Sequence, residues 1–149
     1  MSYLLDVNVL IVLAWSEHQH HASAVRWFEQ HASSGWATCA LTESSFVRIV
    51  SQPSFSLSAG YDPVTVDQAG QMLFANIRHK NHQFLNLNFS FDKVLSACTG
   101  GLQGHRQITD AYLLTLAIQN KRQLVTFDAG IGSLLATAAE RQKHLLVLS

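Results

Sequence analysis

The order of apolar and amphipathic segments predicts an α/β fold, an α/β/α sandwich around a central, mainly parallel sheet. Short apolar runs alternate with segments of helical period along the chain. Two of these runs lead into a carboxylate and then a helix, as parallel strands with right-handed crossovers do. The third observation is size: 149 residues, 48% of them hydrophobic, fill one sizeable core rather than two. Residues 1–149 are therefore expected to form a single domain.

In chain order, Tyr3-Leu4-Leu5 is a short strand ending on Asp6, and Val7 to Trp15 continues as a helix with Asn8 as a natural cap. From His20 or His21 to Ala32, the positions Ala24, Val25, Trp27 and Phe28 recur at helical spacing until Ser33-Ser34-Gly35 breaks the pattern. Trp36 to Ala40 reads as a buried strand, and Thr42 as the cap of a helix carrying Glu43, Phe46, Val47, Ile49 and Val50. Ser51 to Pro63 contains both prolines and Gly60, and reads as one long irregular connection. Val64 to His79 is another amphipathic helix, Phe84 to Leu87 a third strand, and Ser90 to Cys98 a short helix before Gly100, Gly101 and Gly104. Thr109 then caps a helix with Asp110 in its first turn. Leu124 to Phe127 is a strand ending on Asp128, Gly130 to Gln142 a further helix, and Leu145 to Leu148 a final strand.

Ten Lys+Arg balance ten Asp+Glu, so the molecule as a whole does not attract polyanions. Nucleic-acid binding has to come from a local patch. Charged residues make up only 13% of the chain against about 25% in an average soluble protein, which leaves apolar surface for a partner. Cys39 and Cys98 lie in no metal or redox spacing and read as reduced thiols. The first residues lack the basic start and cleavage site of a signal peptide, and Asp6 interrupts the apolar run from Leu4 to Ala14. A cytoplasmic protein with no membrane span is expected.

Glu17, Glu29, Asp62, Asp67, Asp92 and Glu140 fall where solvent is expected. Asp6, Glu43, Asp110 and Asp128 do not: they sit in apolar surroundings, at strand ends or in the first turn of helices, where parallel α/β sheets form their ligand sites. Two unit charges ~4 Å apart repel by about 4 kcal/mol at an effective dielectric of 20. Such a cluster is relieved by protonation or by a divalent cation, and an all-oxygen set suits Mg²⁺ or Mn²⁺ rather than zinc. Two readings stay open: separate helix caps and strand-end turns, or one joint metal site. Asn8 and Thr126 flank the set, either as cap and strand residue or as hydrogen-bond partners of the ligands. His18, His20 and His21 lack further ligands at metal spacing and read as a solvated turn.

The segments Leu4-Leu5-Asp6-Val7-Asn8-Val9-Leu10-Ile11, Thr42-Glu43-Ser44-Ser45-Phe46-Val47-Arg48, Gly104 to Leu114 (GHRQITDAYLL) and Thr126-Phe127-Asp128 resemble the PIN-domain ribonucleases. Within that family they resemble the VapC-type toxins of bacterial toxin-antitoxin pairs. A D-x-N triplet alone is a weak signal, but the ordered set spans the chain. The resemblance implies a PIN-like sandwich in which Asp6, Glu43, Asp110 and Asp128 match the family's acidic metal-binding quartet, with Asn8 and Thr126 at assisting positions. It further implies Mg²⁺- or Mn²⁺-dependent cleavage of RNA, a homodimer, and neutralisation by a small antitoxin protein.

On this reading Asp6, Asp110 and Asp128 are metal ligands, and Glu43 is a ligand or the base that orients water. His105 and Arg106, just ahead of Asp110, are placed to grip a phosphate. Arg48, Arg78, His79, Lys80, His82 and Lys93 complete a candidate basic rim. Trp15, Trp27 and Trp36 read as core or interface residues. The competing reading is a non-catalytic PIN-fold module that binds RNA or protein. Nucleophile-elbow, P-loop and dinucleotide-binding motifs are absent.

Overall fold

The computed structural model describes residues 1–149. Strands β1 (Ser2–Leu5), β2 (Trp36–Cys39), β3 (His82–Leu85), β4 (Arg122–Thr126) and β5 (Leu145–Val147) form one sheet in the order β3-β2-β1-β4-β5. Every pairing is parallel. The helices are α1 (Val7–Ala14), α2 (His21–His31), α3 (Ala40–Val50), α4 (Pro53–Ala59), α5 (Val66–Ile77), α6 (Phe91–Ala97), α7 (Ile108–Gln119) and α8 (Ala138–His144).

Strand alternation divides the core into two layers. Leu4, Ala37, Cys39 and Leu124 face the side covered by Val94 of α6 and Leu113 and Leu114 of α7. Tyr3, Leu5, Trp36 and Val125 face Val9 of α1, Phe46 of α3 and Leu73 of α5. The registers Leu4↔Ala37, Leu4↔Leu124 and Leu5↔Val125 set same-face side chains side by side. Because β1 is central and covered on both faces, it reads as a continuous apolar run. The chain adds β2 and β3 on one side of β1, then crosses to build β4 and β5 on the other. The topological switch point therefore lies between β1 and β4, where the connections diverge and open a crevice at the carboxyl ends of the strands.

Several boundaries differ from those read in the sequence. The segment expected to be irregular from Ser51 to Pro63 contains α4, because Pro53 is compatible with the first helical position and Gly60, at φ 78°, accepts the left-handed turn that ends it. The helix expected over Gly130–Gln142 is instead a 3₁₀ turn, Ala129–Leu134, an extended Leu135, and α8. Thr137 and Glu140 there form their own capping box and start a new helix. Neither Thr42 nor Thr109 is a cap. Helix α3 begins at Ala40, and the Thr42 hydroxyl reaches back to accept from the Cys39 N–H at 3.0 Å. The 3₁₀ turn His105–Gln107 feeds directly into α7, so Thr109 lies one residue inside it. The cap of α1 is Asp6 rather than Asn8. Strand β3 begins at His82, earlier than expected, with Trp36 opposite His82. Cys39 and Cys98 are buried free thiols. No helix is long and apolar enough to cross a membrane.

Gly100 pins the loop ahead of α7 to the segment that follows Asp128: its N–H donates to the Leu134 carbonyl at 2.8 Å. A β-carbon here would overlap the Ser133 carbonyl oxygen and the Leu134 backbone. Gly100→Ala is expected to lower the unfolding free energy by about 1–3 kcal/mol in urea denaturation. Gly104→Ala, which meets open space, is expected to stay within about 0.5 kcal/mol of the parent.

Candidate active site

Strand β1 delivers Asp6 to the switch point. The residue keeps an extended backbone, φ −68° and ψ 157°, and its Oδ1 accepts from the Val7 N–H at 2.7 Å. A carboxylate is favoured here because the first amides of α1 have no partner within the helix. Its Oδ2 accepts from the Thr126 hydroxyl at 2.8 Å and, more weakly, from Asn8 Nδ2 at 3.4 Å. Asp6 is only 5% exposed.

Thr126 ends β4 and joins three partners through one oxygen. It donates to Asp6 and accepts from Asn8 Nδ2 at 3.1 Å and from the Asp128 N–H at 3.0 Å. Asn8 Oδ1 in turn accepts from the Phe127 N–H at 3.1 Å, so Asn8 also ties α1 to the end of β4. Asp128 Oδ1 accepts from the Gly130 N–H at 2.8 Å, which folds the chain into the following 3₁₀ turn. The third aspartate, Asp110, comes from the first turn of α7, a helix packed on β1 and β4.

These three carboxylates feel one another. Burial raises Asp6 above the usual carboxylate range, against the Thr126 and Val7 hydrogen bonds that favour its ionised form, and the Asp128 charge raises it further. Asp110 is pushed up to about 6, first by burial and then by the charges of Asp6 and Asp128. Neither hydrogen bond nor cation offsets that shift. Oxygen donors held at mutual cost, with only neutral groups to steady them, are what a hard divalent cation would stabilise. No three acidic, histidine or cysteine side chains close into a finished metal cage.

Glu43 stands apart from the aspartates. It lies near the start of α3, where its Oε2 accepts from the Thr38 hydroxyl of β2 at 2.6 Å. The same hydroxyl lies 2.7 Å from His82 Nε2 of β3. Glu43 contributes to the electrostatics of His82 but not to the raised Asp6 or Asp110. It also lines an open groove between α3 and α5 together with the exposed Arg48.

His105 and Arg106 are exposed in the 3₁₀ turn that precedes Asp110, on the approach to the aspartates. Arg78, Lys80 and Lys93 are exposed as well. His79 is exposed too, with its Nδ1 accepting from Trp36 Nε1 at 3.3 Å, whereas the half-buried His82 ring packs edge-on against Trp36 at 4.7 Å. The His18–His21 turn packs through aromatic contacts, His20 stacking on Phe127 at 5.3 Å. Sequence reasoning missed the link from His82 through Thr38 to Glu43, because no local pattern carries it.

A family model described as PIN domain matches residues 3–134. The chain belongs to the PIN-domain family. Its relatives include Ribonuclease VapC38 of Mycobacterium tuberculosis strain H37Rv, 40% identical over 145 residues, or 97% of this chain and 98% of that protein. Ribonuclease VapC44 of the same species is 36% identical over 150 residues, 99% of this chain and 100% of that protein. Among solved structures, VapBC2 from Rickettsia felis bound to a promoter DNA fragment superposes with a TM-score of 0.61 at 16% identity, covering 91% of this chain and 96% of that one. FitAB bound to the IR36 DNA fragment gives 0.55 at 17% identity, covering 97% and 94%. Both likenesses speak to the PIN fold. PIN-domain ribonucleases generally use divalent metal ions, in keeping with the all-oxygen donor set.

The aspartate cluster makes stability depend on pH in a defined direction. A carboxyl at about 6 in the folded protein and near 3.9 when unfolded holds its proton more tightly in the folded state. Its stabilising contribution is complete below about pH 4 and is lost as pH rises through 6. Urea denaturation in chelator is thus expected to show Asp110→Asn gaining on the parent from pH 4 to 7. Equal pH slopes for the two proteins would show that the aspartates do not oppose one another.

Proposed function

We propose that this chain is a VapC-type toxin, a metal-dependent endoribonuclease that hydrolyses RNA phosphodiester bonds. The observation that carries this reading is the set Asp6, Asp110 and Asp128 at the switch point, in which the Asp128 charge acts on the other two and the proton affinities of Asp6 and Asp110 are raised with no balancing cation. The full-length kinship with proteins named Ribonuclease VapC supports it. Residues 1–149 act as one PIN domain.

Asp6, Asp110 and Asp128 hold Mg²⁺, which Mn²⁺ replaces. When bound, the ion supplies Lewis acidity and charge neutralisation for displacement at phosphorus. Thr126 and Asn8 hold Asp6 Oδ2 in place while Oδ1 caps α1 at the Val7 N–H, so the carboxylate is fixed in orientation. Glu43 orients the attacking water and accepts its proton as general base. Arg106 and His105, ahead of Asp110, hold the phosphodiester, and Arg48 guides the strand along the groove beside Glu43. With no net charge on the molecule, this local rim does the steering. The protein works in the cytoplasm as a homodimer, and a cognate antitoxin protein neutralises it. Exposed apolar side chains such as Leu57, Val66 and Phe74 provide surface for such association.

Expression in bacteria, with and without Asp6→Asn, tests the reading. The parent chain is expected to arrest growth and degrade RNA, whereas Asp6→Asn is expected to lower cleavage by at least about 100-fold. Intact RNA and normal growth with the parent would favour a non-catalytic module. Mg²⁺ or Mn²⁺ is expected to raise the melting temperature of the parent by mass action, and to do so much less for Asp110→Asn.

A further inference from the structure

We propose that Thr38, oriented by His82, is the positioning residue for Glu43. This rests on the reading of Glu43 as the water-orienting base. Thr38 is fully buried in β2, yet its hydroxyl reaches Glu43 Oε2 at 2.6 Å and His82 Nε2 at 2.7 Å. A hydroxyl has one proton and two lone pairs. An ionised Glu43 only accepts, so the Thr38 proton points to Oε2, and the bond falls within the 2.5–2.7 Å span of charge-assisted O–H···O⁻ contacts. The remaining short contact is satisfied only if His82 Nε2 carries a proton and donates to Thr38.

The chain of donors is thus directional, from His82 Nε2–H to Thr38 Oγ1 and from Thr38 Oγ–H to Glu43 Oε2. It crosses three elements. His82 opens β3, Thr38 lies on β2, and Glu43 rides on α3. The parallel register that pairs Trp36 with His82 and Thr38 with Phe84 brings His82 and Thr38 onto the same face of the sheet. The edge-on packing of His82 against Trp36 holds the imidazole in that place. A glutamate has three side-chain torsions and, standing apart from the aspartates, gains no order from them. Thr38 supplies that order by fixing one oxygen, with Glu43 still lining the groove it shares with Arg48.

Single-turnover RNA cleavage in saturating metal, with melting temperatures, tests the assignment on Thr38→Val, Thr38→Ser, His82→Phe, Glu43→Gln and the double variant Thr38→Val/Glu43→Gln. Thr38→Val is expected to lower kcat roughly 10–100-fold with KM little changed, the span found for residues that orient an active group. Thr38→Ser, which keeps the hydroxyl, is expected to restore most of the rate. His82→Phe should cost no more than Thr38→Val does, and in the Glu43→Gln background Thr38→Val should cost nothing further, because the groups act through one carboxylate. Wild-type kcat in Thr38→Val, or losses that multiply in the double variant, would overturn the proposal. Crystal structures of Thr38→Val and Thr38→Ser decide it even if the parent cleaves no RNA. The Glu43 carboxylate is expected to leave its place in Thr38→Val and keep it in Thr38→Ser, and an unmoved carboxylate in Thr38→Val would refute the assignment.

Discussion

The arrangement depends on one hydroxyl, that of Thr126, placed between the Asp6 carboxylate and the Asp128 backbone amide. It donates to Asp6 while accepting the backbone N–H of Asp128, so the ends of β1 and β4 are locked together at the point where their charges repel. Neutral donors do all of this work. A lysine or arginine in the same place would neutralise the aspartates and remove their capacity for a cation. A hydroxyl with an amide beside it orders the carboxylates and leaves their charge in place. The site is thereby held in an electrostatically unfavourable state that a divalent ion would relieve, and the surrounding parallel sheet bears the cost.

The sheet bears it because β1 and β4 are buried on both faces. Leu4 and Leu124 anchor one layer and Leu5 and Val125 the other, so the ends of these strands cannot drift apart without opening both cores. Helix α7 packs against the same strands and carries Asp110, and the Gly100–Leu134 contact holds the loop ahead of it. The acidic cluster is thus built on rigid elements, while the candidate phosphate-holding residues His105, Arg106 and Arg48 lie exposed on its margin. Precise placement of ligands and adaptable contact with a long substrate call for this division.

Much of this was legible in the chain. Apolar runs ending in Asp6 and near Asp128 marked strand ends, and helical periodicity located α2, α5 and α7 to within a few residues. The misreadings have physical causes. Pro53 read as a breaker although a proline fits the first turn of a helix, which concealed α4. Thr42 and Thr109 look like caps by composition, but the backbone entered each helix earlier, through Cys39 and through the 3₁₀ turn at His105. Asn8, taken for a cap, instead bridges to the backbone of Phe127 just past β4, which lies 119 residues away.

The sequence by itself determined the class of fold, the family, and which carboxylates stand where strands give way to helices, because those signals are local: period, spacing and residue type. Tertiary structure alone decided how these acids are grouped. Asp6, Asp110 and Asp128 come within electrostatic reach of one another because β4 pairs beside β1 and α7 packs on both, whereas Glu43 turns to Thr38 and His82 because β3 pairs beside β2. Strand order is set by the joint packing of both layers, so no stretch of sequence contains it.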